Sequence, residues 1–401
     1  MKKRLLASLL SATILLSMTP MAFADEEPVG EDLTTPTAQA DEGSEVVPGE
    51  NQEVLTGSCG ENATWTLDGD TLTISGTGAT ADWKDHGSAD DGMHCGAEAH
   101  DGDTTCEKAN CMLNRPWQSY IDSITKIVIE EGITAIGSDS FNGLTAVTEI
   151  ELPDSLTEIG IGAFCFTAIT EVTIPANVST MGYSAFYGCG KLESVFFAGN
   201  KVREIGIYTF AKCYALKNLE FPEGLTAIRL GALQECRSLE ELVFPESLTV
   251  LEQSVLGDSS GKGTPNTTLK KVVVKSDVAI PGFMFCRCTA LETVDLSDKV
   301  TEIGEKAFWE CTDLKTVDGF DAVSTIGREA FQGCSSLENI QFGTQMTTIG
   351  QFAFDKTGLT EVFVPASVTR IDQYGFANNV NLKKIVFHLN RTQGRQYQLQ
   401  F

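Results

Sequence analysis

The segment "IGEKAFWECTDLKTV", Ile303 to Val317, is one copy of a pattern that runs through most of the chain. It recurs downstream as "IGREAFQGCSSLENI" (326–340) and upstream as "IGIYTFAKCYALKNL" (205–219). Each copy begins with an apolar residue and Gly, and continues with a large apolar residue, a Cys and a Leu. A pattern repeated at this length predicts units that stack, each covering the apolar face of its neighbour.

One large apolar position per copy sets the period, and its occupants number the coils one to eleven. They are Phe141, Phe164, Phe186, Phe210, Leu233, Leu256, Phe285, Phe308, Phe331, Phe354 and Phe376. The intervals are 23, 22, 24, 23, 23, 29, 23, 23, 23 and 22 residues, and the long one contains an inserted loop, residues 259–267. We therefore predict a β-rich solenoid of about eleven coils of about 23 residues, with short strands joined by short helical or 3-10 turns.

The second half of each copy predicts a strand. In "EVTIP" (171–175) the residues alternate with period 2, which places Val172 and Ile174 inward. The Gly that follows the Ile in "IG" suits a tight corner of the coil.

The copies resemble the BspA-like leucine-rich repeat family, a class of bacterial surface and secreted proteins. The segment "GSCGENATWTLDGDTLTISGTG" (57–78), followed by Pro116-Trp117, is similar to the N-terminal module that often precedes such repeats. The resemblance covers residues 55–388. It implies a leucine-rich-repeat solenoid, preceded by a small β-module and used for binding, commonly adhesion to host or neighbouring-cell surfaces.

Composition divides the chain into five parts. Residues 1–24 have the basic start, apolar run and Ala-Phe-Ala site of a signal peptide, and residues 25–54 form an acidic linker that we expect to be disordered. The β-module spans residues 55–123 and contains a Cys/His/Asp-rich insertion, 82–114. The repeats span 124–388. Residues 389–401 form a tail without a clear capping unit, which leaves a truncated C-terminus as an open alternative.

The signal peptide predicts a secreted or cell-surface protein with no membrane span after cleavage. The net charge of −26 excludes nucleic-acid partners, which require a basic face. The glycine segments "SGTGAT" (75–80) and "SSGKGT" (259–264) lack the spacing of nucleotide-binding loops. We predict a non-enzymatic protein without a cofactor.

Six cysteines occupy one column of the repeat, three residues after the large apolar position. They are Cys189, Cys213, Cys236, Cys288, Cys311 and Cys334, and Leu, Thr, Ser or Asn stands there in other coils. Because those substitutes share only modest size, we interpret the cysteines as core residues rather than as reactive or bridged ones. Disulfides between adjacent coils are the alternative.

The insertion contains the other notable side chains. These are His86, His94, Cys95, His100, Cys106 and Cys111. Imidazole and thiolate are zinc ligands, but the spacing matches no paired metal motif, so the metal prediction is weak. Disulfides among Cys59, Cys95, Cys106 and Cys111 are the favoured interpretation, and free thiols remain an alternative.

One outward residue lies between the two inward residues of each predicted strand, and several of these outward residues are apolar. The candidate binding residues on this face are Phe196, Glu220, Val243, Val273 and Phe363. Exposed apolar residues rimmed by charge indicate an interaction surface, although β-propensity alone also selects Val and Phe. We predict a monomeric, adhesin-like protein that binds a protein partner on a host or neighbouring cell. The alternatives are binding to a carbohydrate or cell wall and, less favoured, an enzyme that uses the insertion.

Overall fold

The computed structural model describes residues 54–83, 114–257 and 263–388. The signal peptide, nearly all of the linker, the loop 258–262 and the tail predicted from the sequence lie outside these residues. So do the six metal candidates of the insertion, His86, His94, Cys95, His100, Cys106 and Cys111. Within the described residues the chain forms the predicted β-rich solenoid, with one 3-10 helix, Gln118–Tyr120.

The N-terminal β-module adds antiparallel strands to one end of the solenoid sheet. Its strands are Leu55–Ser58, Ala63–Asp68 and Thr71–Gly76, and the last two form the predicted hairpin, with Gly69 in its turn at φ 62°. Thr71–Gly76 then pairs in parallel with Lys126–Ile129, the first strand of the repeats. The short strand Gly78–Ala79 pairs with Ile133–Ile136. Hydrogen bonds therefore run from the β-module into the repeats.

The strand in the second half of each coil contributes to what we call the long-strand face. Coil nine has no strand in this place among the described residues, and the face also includes Lys126–Ile129 before coil one. Its strands are Lys126–Ile129, Glu149–Glu151, Glu171–Ile174, Ser194–Phe197, Asn218–Leu219, Glu241–Phe244, Lys271–Val274, Thr293–Leu296, Thr316–Asp318, Glu361–Val364 and Lys384–Phe387. Most neighbouring strands pair in parallel and in register, so that residues from matching places in successive coils lie side by side. Among the described strands the ladder is interrupted after Glu149–Glu151, after Asn218–Leu219 and after Thr316–Asp318. Alternate residues point inward, as the period-2 pattern predicted.

A second set of shorter strands forms the short-strand face. Its strands are Ile133–Ile136, Glu158–Ile159, Thr180–Met181, Glu204–Ile205, Ala227–Ile228, Val250–Leu251, Glu302–Ile303, Thr325–Ile326, Thr348–Ile349 and Arg370–Ile371. In coil seven the place of a strand is taken by Ile280, which forms an isolated bridge to Ile303.

The turn side comprises, in each coil, the residues from four before to four after the large apolar position. The expected helical or 3-10 turns are not formed there in the described coils. Around Phe308, for example, Lys306 and Glu310 have φ of 53° and 55°, in the left-handed region. The N–H groups of these three residues donate to Arg328 O, Ala330 O and Gln332 O of the next coil at 2.9, 2.8 and 2.8 Å. The residues between and after them donate within the turn, as Trp309 N does to Lys306 O and Cys311 N to Phe308 O, each at 3.2 Å. Bonds between coils thus alternate with bonds within the turn and interrupt the continuous series that a helix would require.

Aromatic rings stack along the interior. The centroids of Phe308 and Phe331 are 5.1 Å apart, as are those of Phe331 and Phe354, with nearly parallel planes. Trp117 extends this stack toward the N-terminus, with its centroid 5.6 Å from that of Phe141. All eleven large apolar positions are buried, so the register assigned from the sequence is the register of the core.

The nine cysteines among the described residues are buried free thiols, which confirms the core interpretation of the column. Five of the column thiols also donate a hydrogen bond to the carbonyl of the large apolar residue one coil back. Cys334 Sγ lies 3.1 Å from Phe308 O, and Cys189 Sγ lies 3.1 Å from Phe164 O. Burial raises the pKa of Cys189 and Cys59 to about 12. These thiols are therefore protonated at neutral pH.

The glycines of the "IG" pairs serve a purpose other than the one predicted. A Cβ on Gly327 would lie 2.6 Å from Glu305 N, and one on Gly350 would lie 2.7 Å from the carbonyl carbon of Gly327. Neither glycine has a positive φ. Glycine is required because successive coils approach closely here, not because the corner needs an unusual torsion.

Candidate binding surface

Four of the five predicted binding residues lie together on the long-strand face. Phe196, Glu220, Val243 and Val273 occupy the outward position of coils three to six. Phe196 is 48 % exposed, Glu220 is exposed, and the two valines are half-buried and directly opposed in the sheet. Their side chains project on the same side because each follows an inward residue on a strand of the same direction.

The fifth residue, Phe363, lies apart from the others. It is 49 % exposed on the strand Glu361–Val364 of coil ten, where it pairs with Val386. Seven coils separate it from Phe196. At the usual spacing between strands of about 4.8 Å, that is about 30 Å. One ligand reaches both residues only if it extends along the solenoid.

The sheet is interrupted in the middle of this surface. Asn218–Leu219 pairs with Ser194–Phe197 on one side, and Glu241–Phe244 pairs with Lys271–Val274 on the other. Among the described strands, no pairing joins Asn218–Leu219 to Glu241–Phe244. Two strand edges therefore face each other across coils four and five without a shared ladder of hydrogen bonds.

A groove of about 800 Å³ opens at this interruption. Its lining comprises the apolar residues Leu219, Phe221, Val243 and Pro245, the acidic residues Glu220, Glu223, Glu240 and Glu241, and the basic residues Lys217 and Lys275. Two of the predicted residues, Glu220 and Val243, thus belong to the groove. Its composition combines an apolar floor with a mostly acidic rim.

Ion pairs between coils hold several of the rim side chains. Lys271 Nζ lies 2.8 Å from Glu241 Oε1, Lys270 Nζ 3.2 Å from Glu240 Oε2, and Lys217 Nζ 3.0 Å from Glu193 Oε2. Each pair is well exposed, so each contributes less than about 1 kcal/mol to stability. Their main effect is to orient charges along the rim.

The described residues show neither a metal cluster nor a membrane-spanning helix. No group of three or more His, Cys, Asp or Glu side chains in the described part is arranged to hold a metal ion. None of the described helical segments has the length and apolar character needed to cross a bilayer.

Sequence reasoning missed two features that bear on function. One is the set of aromatic residues on the turn side of coils two to four, where Phe166 and Tyr183 are 39 % and 47 % exposed. The other is Arg115, which is 3 % exposed and binds carbonyl groups of the first coil. Aligning the copies would have revealed the aromatic residues, because glycine occupies some of the same turn positions in other coils.

The fold and the repeats define a leucine-rich-repeat solenoid of the bacterial type. The family model described as "BspA type Leucine rich repeat region" matches in six copies, over residues 118–200 and 265–393. These ranges span more than half of the chain, so the chain belongs to this family.

Several solved structures are similar to this chain at low sequence identity. A leucine-rich repeat protein from Eubacterium ventriosum is 19 % identical, with a TM-score of 0.42, over 85 % of this chain and 97 % of that one. One from Bacteroides ovatus is 23 % identical, with a TM-score of 0.40, over 84 % and 100 %. A leucine rich cell surface protein from Faecalibacterium prausnitzii is 20 % identical, with a TM-score of 0.40, over 86 % and 97 %. No curated protein matches the chain at a significant level.

Proposed function

We propose that this chain is a secreted or surface-displayed, adhesin-like protein that recognises a protein partner through the long-strand face of coils three to six. Its repeat family supports a surface binding role. The signal peptide predicted at residues 1–24 favours export. The absence of nucleotide-binding spacing in "SGTGAT" (75–80) and "SSGKGT" (259–264) favours binding over catalysis.

The interrupted sheet is the observation that favours a protein partner. Unpaired strand edges present N–H and C=O groups that an extended segment of another protein can satisfy. The edges of Asn218–Leu219 and Glu241–Phe244 border the groove, and Phe221 and Val243 offer apolar contacts beside them. Glu240 and Glu241 are ion-paired with Lys270 and Lys271. Glu220 and Glu223 are therefore the groove carboxylates that favour a partner segment with basic side chains.

Binding of the full chain to purified extracellular-matrix proteins and to immobilised glycans tests this proposal. We expect a matrix protein to bind, and binding to weaken at least about tenfold in the double variant Phe196→Ser/Val243→Ser. Glu220→Lys should also weaken binding and reduce its dependence on salt, because it removes an attractive charge from the rim.

Asp318→Lys is the matched control, since Asp318 occupies the same outward position on coil eight, is exposed, and lies two strands from Val273. Thermal unfolding of all variants should remain near that of the natural chain. Phe363→Ser tests whether the contact extends to coil ten. Equal binding by Phe196→Ser/Val243→Ser and the natural chain, or binding of glycans alone, would show that this face is not the protein-binding surface.

A further inference from the structure

Three consecutive turns of this acidic chain contain no carboxylate. They are residues 160–168, 182–190 and 206–214, in coils two to four. The same turns contain the exposed or half-buried aromatic residues Phe166, Tyr183, Tyr187, Tyr208 and Tyr214, which we call the aromatic patch. Lys212 is the sole charged residue within these turns. A chain with 55 acidic residues thus has three neighbouring turns without a carboxylate. Glu235 of the next turn lies close enough to act on Lys212 and Tyr214, and it is ion-paired with Arg237 at 2.6 Å.

The rings of the patch rest on glycines of neighbouring coils. A Cβ on Gly188 would lie 2.4 Å from Cδ1 of Phe166, and one on Gly231 would lie 2.2 Å from Cε1 of Tyr208. Tyr183 packs in the same way against Gly206, at 2.9 Å. Because one side of each ring is supported by backbone, the exposed part faces solvent in a fixed position.

Tyr187 lies at the centre of the patch. Its ring centroid is 5.4 Å from that of Phe166 and 6.5 Å from that of Tyr208, both edge to face. Lys212 Nζ lies 5.3 Å from the Tyr187 centroid. An ammonium donor therefore lies beside the rings, within reach of a ligand that contacts them.

The left-handed turn positions accept glycine in place of the aromatic residues. Phe166 and Tyr208 have φ of 58° and 53°, in the left-handed region that costs free energy for any residue except glycine. Nearly every described turn has such residues, so this strain by itself does not distinguish the patch. The matching positions of the next coils are Gly188 and Gly231, with φ of 71° and 62°, which shows that the two rings are not needed to form the turn.

We propose that the aromatic patch binds a glycan chain, whose sugar rings stack on the outward surfaces of Phe166 and Tyr183 and contact the exposed edge of Tyr214, over whose ring the Arg237 guanidinium lies at 5.0 Å from the centroid. These three aromatic side chains are 39 %, 47 % and 40 % exposed, which corresponds to about 250 Å² of aromatic surface in total. A stable protein interface needs about 800 Å² on each partner, whereas two or three sugar rings match the smaller area. The proposal does not rest on the groove of the long-strand face.

Titration of the full chain with chitotetraose, maltotetraose, lacto-N-tetraose and 3′-sialyllactose tests this proposal. We expect at least one of them to bind with a Kd of about 1 mM or tighter. The double variant Phe166→Gly/Tyr208→Gly should weaken that binding at least about tenfold, because it removes two rings of the patch. Glycine already occupies these turn positions in neighbouring coils, so the variant should fold, and its free energy of unfolding should be at least that of the natural chain.

Phe352→Gly/Tyr374→Gly is the matched control. Both residues have left-handed backbones, and their stacked rings, 4.9 Å apart, lie on the distant coils ten and eleven. This control should bind the sugar as the natural chain does, and so should Phe196→Ser/Val243→Ser. The glycan assignment is wrong if none of the four sugars binds, or if Phe166→Gly/Tyr208→Gly binds equally well. If Phe166→Gly/Tyr208→Gly loses binding to a matrix protein and keeps binding to the sugar, the patch is a protein-binding surface.

Discussion

Two residues in nearly every described coil adopt a left-handed backbone, two positions before and two after the large apolar residue. Glycine meets this requirement in some coils, as at Gly333, but Lys356 occupies the matching place in the next coil with φ of 56°. An L-residue in this region costs about 1–2 kcal/mol relative to the ordinary helical region, and glycine avoids most of that cost.

Lys356→Gly should therefore raise the free energy of unfolding by about 1 kcal/mol. The Lys356 side chain is exposed, so little packing is lost. Urea denaturation followed by circular dichroism measures the effect. Lys383→Gly is the control, because Lys383 is also exposed and its φ is not positive; it should lower stability by about 0.5–1 kcal/mol. Equal losses in the two variants would contradict the assignment of strain to position 356.

At the scale of the element, the first coil shows what closes a solenoid. Interior turns accept hydrogen bonds from the coil before them, as Ala163 O does from Phe141 N. No coil precedes the first turn, and the Arg115 side chain donates hydrogen bonds to it instead. The Arg115 guanidinium donates to Asp139 O, Ser140 O and Asn142 O at 3.0, 3.2 and 2.7 Å.

Arg115→Met should lower the free energy of unfolding by about 3 kcal/mol, because it removes three hydrogen bonds from a charged donor to buried carbonyl groups. Asp139 O and Ser140 O keep bonds from Asn142 N and Trp117 Nε1 at 3.3 and 3.2 Å, whereas Asn142 O loses its charged donor. Thermal and urea unfolding measure the loss. Arg203→Met is the control, since Arg203 is exposed and donates to one carbonyl, Gly224 O, at 2.7 Å. Its cost should stay below about 1 kcal/mol. Similar losses in both variants would show that Arg115 has no capping role.

The sequence predicted the elements better than the connections between them. Periodicity alone placed the strands, because an inward residue must recur at a fixed distance from Phe141 or its counterparts. The capping by Arg115 and the interruption beside Asn218–Leu219 depend on which backbone groups meet across coils, which no repeat pattern encodes. The candidate site was predicted in the same partial way: Phe196 and Val243 were identified, but not the groove or the aromatic patch.

At the scale of the whole molecule, the buried thiols link stability to pH. Burial raises the pKa of Cys59 and Cys189 from the ordinary 9.0 to about 12, and it raises the pKa of the other described thiols of the column as well. The folded state therefore keeps these protons at a pH where the unfolded state loses them. The contribution of these thiols to the free energy of unfolding is fully present below about pH 9. It declines as the pH rises from there toward about 12 and above.

The free energy of unfolding should thus be nearly constant from pH 7 to 8.5 and fall steeply above pH 9, by about 1.4 kcal/mol per pH unit for each thiol. Urea denaturation at pH 8, 9 and 9.5 measures this slope under reducing conditions, before the summed loss from seven thiols approaches the whole free energy of unfolding. Cys334→Thr should make the slope shallower by one such increment, because threonine, which coil ten has in this column as Thr357, does not titrate there. An unchanged slope in Cys334→Thr would contradict the linkage.

The tryptophans of the N-terminal end have an optical consequence. Trp65 and Trp83 lie 6.2 and 6.4 Å from Trp117 between ring centroids, and the fourth tryptophan, Trp309, is on coil eight. Three of the four tryptophans, and so most of the tryptophan fluorescence, therefore report on the N-terminal end that Arg115 caps. A red shift that precedes the loss of the circular dichroism signal would mean that the solenoid frays from that end.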